Sequence, residues 1–197
     1  MQTFTKKATT MVNHYDLEPI LACLENGGTI LLPTDTIWGI ACDATNADAV
    51  EKVHELKQQE RNRPFVLLVS SIEMLKDYVQ QVHPRIETLL LFHQRPLTII
   101  YENAKNLPTN AYGDDGTVAI RITHDPFCQS LIESFGKPIV ATSANISGDP
   151  LPNHFGEISS AVIIGVDYVV KYRTMDKDIR RAIRDCQAGQ GLGNWYF

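Results

Sequence analysis

The chain has 197 residues, of which 44% are hydrophobic, and its formal net charge at pH 7 is −5. This length and composition predict one domain with a substantial apolar core. The acidic balance excludes a surface that attracts nucleic acid or anionic membrane as a whole, so any anion-binding site must be local.

The four cysteines are scattered, without C-x-x-C spacing or metal-spaced histidines beside them. This pattern predicts reduced thiols in a cytoplasmic protein and argues against a dedicated zinc site. No apolar run approaches the roughly 20 residues that span a bilayer. The first ten residues also lack the apolar core of a secretion signal. We therefore expect a cytoplasmic protein that does not enter a membrane.

The first predicted elements are a helix over residues 16–26 and a buried strand over residues 29–32. Apolar residues at helical spacing indicate the helix, and a short β-branched and aliphatic run indicates the strand. A second helix, within residues 47–58, is expected to end near Lys57. Its last turn therefore leads into a basic segment.

Residues 34–36, Thr-Asp-Thr, form a polar loop directly after the first strand. A strand fixes the backbone while the hydroxyls remain available to a ligand, so this loop is a candidate binding site. The alternative is a turn in which Asp35 caps its own backbone. In either case we expect Asp35 to hold the turn.

The rest of the chain alternates between strands and helices. Apolar runs predict further strands at residues 65–69, 96–101, 117–122, 138–141 and 162–170. Helices are predicted after Ser71, over residues 83–93, and from Asp125 to Gly136. The helix over residues 83–93 is expected to bury Ile86, Leu89 and Leu90. Because residues 101–117 leave no room for a helical crossover, we expect a mixed sheet.

The sequence contains no G-x-G-x-x-G and no G-x-x-x-x-G-K-[ST] motif. Ordinary dinucleotide binding and P-loop chemistry are therefore not expected. There is also no internal repeat and no low-complexity linker.

Four polar clusters lie at the ends of predicted elements. They are residues 34–36, the basic group Lys57, Arg61 and Arg63, the pair Thr117 and Arg121, and residues 142–148. Hydroxyl, amide and guanidinium groups of this kind suit a polyanion such as a nucleoside triphosphate. Each cluster alone also fits a structural role: a solvated helix end, a surface ion pair or a self-satisfied turn.

Taken together, LPTDTIWGIACDATN, the basic KQQERNRP followed by a strand, TVAIR and ATSANISG resemble the YrdC-like family of threonylcarbamoyl-adenylate synthases. The resemblance covers about residues 12–172 and implies a single α/β domain. It implies a twisted mixed sheet with flanking helices and a basic concave cavity. It also implies a reaction in which L-threonine, bicarbonate and ATP give L-threonylcarbamoyl-AMP and pyrophosphate, for tRNA threonylcarbamoyladenosine modification.

The resemblance also implies roles for individual residues. Threonine would contact Thr34 and Arg121. The nucleotide would meet Lys57, Arg61, Arg63, Thr117, Ser143 and Asn145. No catalytic residue or protein-bound metal is implied, because the protein would position the substrates and neutralise charge. Mg²⁺ is expected on the triphosphate of ATP.

The sequence departs from the family pattern at Gln59, where the family's K-x-R motif has arginine. A neutral amide supplies neither the charge nor the bidentate geometry of a guanidinium. We expect Arg61 or Arg63 to reach the same phosphates.

The second departure is the segment 173–197, which lacks the family's extended Ser-Thr-(Ile/Val)-Val run. Back-translation from Met175, shifted forward by one nucleotide, permits W-T-K-T-S-E-E-P-S-A-I-V-K-L-G. This string contains P-S-A-I-V-K-L, which fits the family pattern. We therefore interpret residues 173–197 as an anomalous tail from an out-of-frame reading, with a natural divergent tail as the alternative.

Other functions compete with the synthase. One is a related carbamoyl-adenylate reaction in hydrogenase maturation, although this short chain lacks the accompanying zinc-finger and acylphosphatase domains. Another is a YrdC-like paralogue that binds RNA or nucleotide without synthase turnover. The net charge of −5 argues against strong RNA binding. The partners implied are L-threonine, bicarbonate and ATP, a tRNA threonylcarbamoyl transferase complex that receives the product, and weakly bound double-stranded RNA or tRNA.

Overall fold

A seven-stranded mixed sheet forms the centre of the computed structural model, which describes residues 15–59 and 64–176. In chain order the strands are β1 (Ile30–Pro33), β2 (Trp38–Asp43), β3 (Val66–Val69), β4 (Thr98–Tyr101), β5 (Val118–Ile122), β6 (Ile139–Ser143) and β7 (Tyr168–Val169). Their spatial order is β4-β5-β3-β6-β2-β1-β7. Only the β3–β5 and β1–β7 pairs are parallel. The predicted α/β fold with a mixed sheet is confirmed.

Six α-helices flank the sheet in the described residues: α1 (Glu18–Glu25), α2 (Ala47–Lys57), α3 (Ile72–Tyr78), α4 (Pro84–Phe92), α5 (Pro126–Phe135) and α6 (Ser160–Gly165). Short polar side chains cap several of them. Asn46 accepts two backbone N–H groups at the start of α2, and Asp125 accepts that of Cys128 in α5. Gly136 ends α5 in the left-handed conformation that glycine adopts without steric cost.

Each face of the sheet carries its own apolar core, because neighbouring side chains on a strand point to opposite faces. On one face, Leu32 and Leu68 pack with α1 and α5. On the other, Leu31 and Leu67 pack with α2 and α3. Burial of each such side chain contributes about 1.5–3 kcal/mol. The sheet is therefore a rigid support for the loops at its edges.

The prediction that α4 buries Ile86, Leu89 and Leu90 is correct only in part, because Leu89 does not face the core. None of its residues is buried, and Leu89 is 42% exposed. Ile86 and Leu90 are only partly buried against the core. Residues 89–92 are all apolar, so the helical periodicity of the sequence does not indicate which side of α4 faces the core.

The prediction of a strand over residues 162–170 is also wrong in its first half. Ser160–Gly165 is the helix α6, and only Tyr168–Val169 forms a strand. The Ser159 hydroxyl accepts the N–H of Val162 and so caps the helix. Periodicity alone does not separate a short apolar helix from a buried strand.

The helices of the described residues are too short to cross a bilayer: α2, at 11 residues, is the longest of them.

Candidate functional site

Two of the predicted polar clusters meet at one edge of the sheet. Residues 34–37 connect β1 to β2, and Gly39 of β2 pairs with Ser143 at the end of β6. The N–H of Ala144 donates to the Trp38 carbonyl at 3.0 Å. The Thr-Asp-Thr loop and the segment that begins at Ser143 are therefore neighbours.

Thr34, and not Asp35, holds the turn between β1 and β2. The buried Thr34 hydroxyl donates to the Ile37 carbonyl at 2.7 Å. It accepts the N–H groups of Thr36 and Ile37 at 3.1 and 3.3 Å. The expectation that Asp35 holds the turn is wrong, because a hydroxyl can satisfy these backbone groups directly. Contact between Thr34 and substrate threonine stays a prediction.

Lys57 connects the end of α2 to the segment that follows β6. Its buried Nζ donates to the carbonyls of Ser143 and Asn145 at 2.7 and 2.8 Å, and lies 3.3 Å from each of their side-chain oxygens. The Ser143 hydroxyl donates to the Asn145 side chain at 2.6 Å. Burial lowers the Lys57 pKa to about 8. The structure thus brings together three residues predicted to bind nucleotide.

The Lys57 ammonium has three protons and four oxygen neighbours in this cluster. Its N–H groups are therefore already engaged by the protein. The Lys57 side chain therefore offers a phosphate its positive charge, which lies against the segment bearing Ser143 and Asn145. The Ser147 N–H donates to the Lys57 carbonyl at 2.9 Å, and this bond fixes the other end of the segment that begins at Ser143.

Arg121 extends from β5 to the Thr-Asp-Thr loop. Its Nη1 donates to the Thr36 hydroxyl at 3.3 Å and lies 3.6 Å from an Asp35 carboxylate oxygen. Both members of this ion pair are largely buried, with side-chain exposures of 12% and 9%. Thr36 belongs to the loop predicted as a candidate binding site, but the sequence gives it no individual role, because its contact is with a distant strand. Arg121 thus contacts the loop that contains Thr34, and these are the two residues predicted to bind threonine.

Thr117 lies in a separate turn at the start of β5. Its hydroxyl and N–H both donate to the Asp115 carboxylate, at 2.7 and 3.0 Å. The Gly113 N–H donates to the Thr117 carbonyl. These bonds hold Thr117 in its own turn, and its contact with the nucleotide stays a prediction.

Arg61 and Arg63 lie outside the described residues, so their proposed contacts with phosphate remain predictions. Gln59 is described, and the Ser147 hydroxyl donates to its side-chain oxygen at 3.5 Å. The position where the family pattern has arginine therefore lies beside the segment bearing Ser143 and Asn145.

Gly39 is a structural residue of the site to which the sequence analysis gave no role. A Cβ atom there would lie 3.0 Å from the Thr142 carbonyl oxygen and 3.8 Å from the Thr34 methyl group. The glycine thus permits close packing of β2 against β6. The detectable signal is the P-T-D-T-x-x-G spacing, of which Gly39 is the last member.

The family model named for Sua5, YciO and YrdC, and described as "Telomere recombination", matches residues 22–192. The match therefore continues into the segment interpreted as an anomalous tail.

Curated relatives resemble almost the whole chain. The threonylcarbamoyl-AMP synthase of Xanthomonas euvesicatoria is 30% identical over 185 residues, which are 92% of this chain and 99% of the relative. The threonylcarbamoyl-AMP synthase of Vibrio parahaemolyticus is 29% identical over 180 residues, with coverage of 90% and 97%.

Solved structures share the fold. The P. abyssi Sua5 complexed with L-threonine has a TM-score of 0.73 and 25% identity, over 78% of this chain and 45% of that one. This chain thus spans less than half of the Sua5 chain. E. coli YciO, at 21% identity, has a TM-score of 0.68 over 78% of this chain and 75% of its own.

Proposed function

The chain belongs to the Sua5/YciO/YrdC family, and we propose that it is an L-threonylcarbamoyladenylate synthase. Its substrates are L-threonine, bicarbonate and ATP, and its products are L-threonylcarbamoyl-AMP and pyrophosphate. The observation that carries the proposal is the meeting of two clusters at one edge of the sheet. The Lys57, Ser143 and Asn145 cluster suits phosphate, and the Arg121 guanidinium beside the Thr-Asp-Thr loop suits a carboxylate.

Threonine binds with its carboxylate on Arg121 and with Thr34 beside it. A guanidinium matches a carboxylate through paired N–H donors, which fixes the orientation of the amino acid. The structure of the P. abyssi Sua5 relative holds L-threonine, which supports threonine as the amino-acid substrate by similarity.

ATP enters as its Mg²⁺ complex, with the triphosphate over Lys57 and the segment of Ser143 and Asn145. Thr117 contacts the nucleotide, and Arg61 and Arg63 supply the charge that Gln59 does not. The metal travels with the substrate, because triphosphate oxygens and water satisfy most of its octahedral shell.

The chemistry needs positioning more than acid–base catalysis. The threonine amine, once deprotonated, attacks the bicarbonate carbon, and loss of water leaves a carbamate. A carbamate oxygen then attacks the α-phosphorus of ATP, and pyrophosphate leaves. The protein's part is to align the two nucleophilic steps and to neutralise phosphate charge.

We also propose that the product passes to a transferase complex that modifies tRNA, since a mixed carbamoyl–phosphate anhydride is prone to hydrolysis. Weak contact with tRNA or double-stranded RNA belongs to the same proposal. The free thiols of Cys23, Cys42 and Cys128 fit a reducing cytoplasmic location.

A second candidate is a nucleotide-binding paralogue without synthase turnover. The observation in its favour is Gln59, which lacks the positive charge of the family's arginine beside the Ser143 segment. An assay of pyrophosphate release separates the two. We expect release that depends on threonine and on bicarbonate, whereas ATP binding without any such release would favour the paralogue.

A further inference from the structure

The Asp35 carboxylate is buried in the candidate site without a role in the turn that carries it. Neither of its oxygens has a hydrogen-bond partner of good geometry among the described residues. The turn itself is satisfied by Thr34. Because burying a charge is costly unless another group compensates it, this carboxylate calls for a different explanation.

Arg121 is the compensating charge. Its Nη1 lies 3.6 Å from Asp35 Oδ1, which is close enough for an ion pair and too long for a hydrogen bond. The neighbouring Asp125 is already engaged, since it accepts the Cys128 N–H and pairs with Arg173 at 3.1 Å. Asp35 and Arg121 are therefore each other's partner in this part of the structure.

Burial and the neighbouring charges shift the pKa of the Asp35 carboxyl in opposite directions. Burial is the largest influence and raises the pKa of the Asp35 carboxyl, whereas Arg121 lowers it. Asp125 raises the pKa further, and the backbone and imidazole of His124 oppose it more weakly. The guanidinium of Arg121 is thus the main influence that favours the charged form.

The Asp35 oxygens are too deeply buried to touch a ligand themselves, so the carboxylate must act through its neighbour. Arg121 has a long, flexible side chain, and its hydrogen bond to Thr36 is long at 3.3 Å. We propose that Asp35 is a positioning residue that holds the Arg121 guanidinium at the loop, so that its remaining N–H groups meet the threonine carboxylate. This inference rests on the proposed function, because it takes Arg121 as the ligand of threonine.

The test compares threonine and ATP binding to the full chain and to Asp35→Asn by titration calorimetry, with each ligand alone. The amide keeps the size of the side chain and removes its charge. We expect the threonine Kd to rise about tenfold, as when a buried charge partner is removed, and the ATP Kd to stay within about twofold. The melting temperature should fall, because the largely buried Arg121 guanidinium loses its compensating charge.

Asp43→Asn is the matched control. Asp43 is another buried aspartate in an ion pair, with Lys137 at 2.8 Å, but it also accepts the hydroxyl and N–H of Thr45. It lies at the opposite end of β2 from the loop. This variant should lose thermal stability and keep the wild-type threonine Kd, which is the signature of a purely structural aspartate.

Three results with the Asp35 variants would overturn the positioning role. They are an Asp35→Asn protein with threonine Kd within about twofold of wild type, a parallel loss of threonine and ATP binding, and failure of both Asp35→Asn and Asp35→Glu to fold. Wild-type chain that binds no threonine would overturn this role and the proposed threonine site together. Wild-type chain that binds threonine but makes no adenylate would contradict the synthase alone, and the Asp35 comparison would still decide the positioning role.

Discussion

Adjacent residues of the Thr-Asp-Thr loop differ in what their side chains do. The Thr34 hydroxyl bonds to the backbone of Ile37 and keeps the turn closed, whereas the Asp35 carboxylate faces the Arg121 guanidinium of β5. Sequence alone favours the opposite assignment, because aspartate is the more common residue to cap its own turn. The hydroxyl prevails here because Thr34 offers both a donor and an acceptor, which a carboxylate does not.

Replacing Thr34 by valine tests this assignment. Valine keeps the shape of the side chain but leaves the N–H groups of Thr36 and Ile37 without their acceptor. We expect a loss of about 1–3 kcal/mol in the free energy of unfolding, the usual cost of unsatisfied buried groups. Denaturant titration measures it, with Thr34→Ser as the control that retains the hydroxyl. Equal stability of Thr34→Val and wild type would contradict the assignment.

The lowered pKa of Lys57 predicts a pH dependence of ATP binding. The folded chain loses this proton near pH 8, whereas the unfolded chain keeps it to near 10.5. Above pH 8 the positive charge beneath the Ser143 loop disappears, so the affinity for ATP should fall. Stability from this group alone should rise over the same interval, because the unfolded state then binds more protons.

The measurement is the Kd of ATP between pH 7 and 9.5 at constant ionic strength, without threonine or bicarbonate. Lys57→Arg is the matched variant, because arginine stays charged throughout this range. Its ATP affinity should change little with pH. A wild-type affinity that is constant up to pH 9.5 would show that the Lys57 charge does not contribute to nucleotide binding.

Among the elements, those with both a cap and a clear period were predictable. Helix α2 has the Asn46 cap, and α5 runs from the Asp125 cap to Gly136. Strand β2 was not separately predicted, because it is buried on both faces and lacks polar alternation. Helix α6 lies where the sequence predicts a strand for a related reason, since a short apolar run fits both structures.

The site was predictable only in part. Lys57 and Ser143 are 86 residues apart in the chain, so no local pattern can show their contact. The family resemblance nominated both residues, and the antiparallel pairing of β2 with β6 explains why the loop and this segment share an edge. The partnership of Asp35 with Arg121 had no sequence signal, because it depends on how a side chain of β5 crosses to the hairpin.

Substitution of Gly39 tests whether the close packing of β2 against β6 is needed for the site. In Gly39→Ala the new methyl group would meet the Thr142 carbonyl at 3.0 Å, and backbone atoms cannot move away cheaply. We expect a loss of about 1–3 kcal/mol in stability, as for overpacking. The affinity for ATP should fall with it, because the strand pair positions Ser143.

Gly156→Ala is the control for that substitution. Its Cβ would meet only the His154 imidazole at 3.3 Å, and a side chain on the surface can rotate away. Calorimetric melting and ATP titration of both variants give the comparison. If Gly39→Ala is as stable as Gly156→Ala, the close approach of the strands does not constrain the site.

The origin of the C-terminal tail, residues 173–197, is not tested by the structure and stays a proposal. Residues 177–197 lie outside the described part of the chain, and the domain boundaries of 12–172 and 173–197 remain predictions. We propose that the tail is an out-of-frame reading. Independent resequencing of the coding DNA should show a one-nucleotide difference near Met175. An uninterrupted frame in independent isolates would contradict it and leave a natural divergent tail.

The proposed reaction joins threonine, bicarbonate and ATP in one adenylate. The most direct measurement is mass spectrometry of the reaction products with ¹³C-labelled bicarbonate, with parallel reactions that omit threonine. We expect L-threonylcarbamoyl-AMP that carries the label, formed only when all three substrates are present. Bound ATP with no labelled adenylate, under conditions where a relative named as the synthase makes it, would contradict the account.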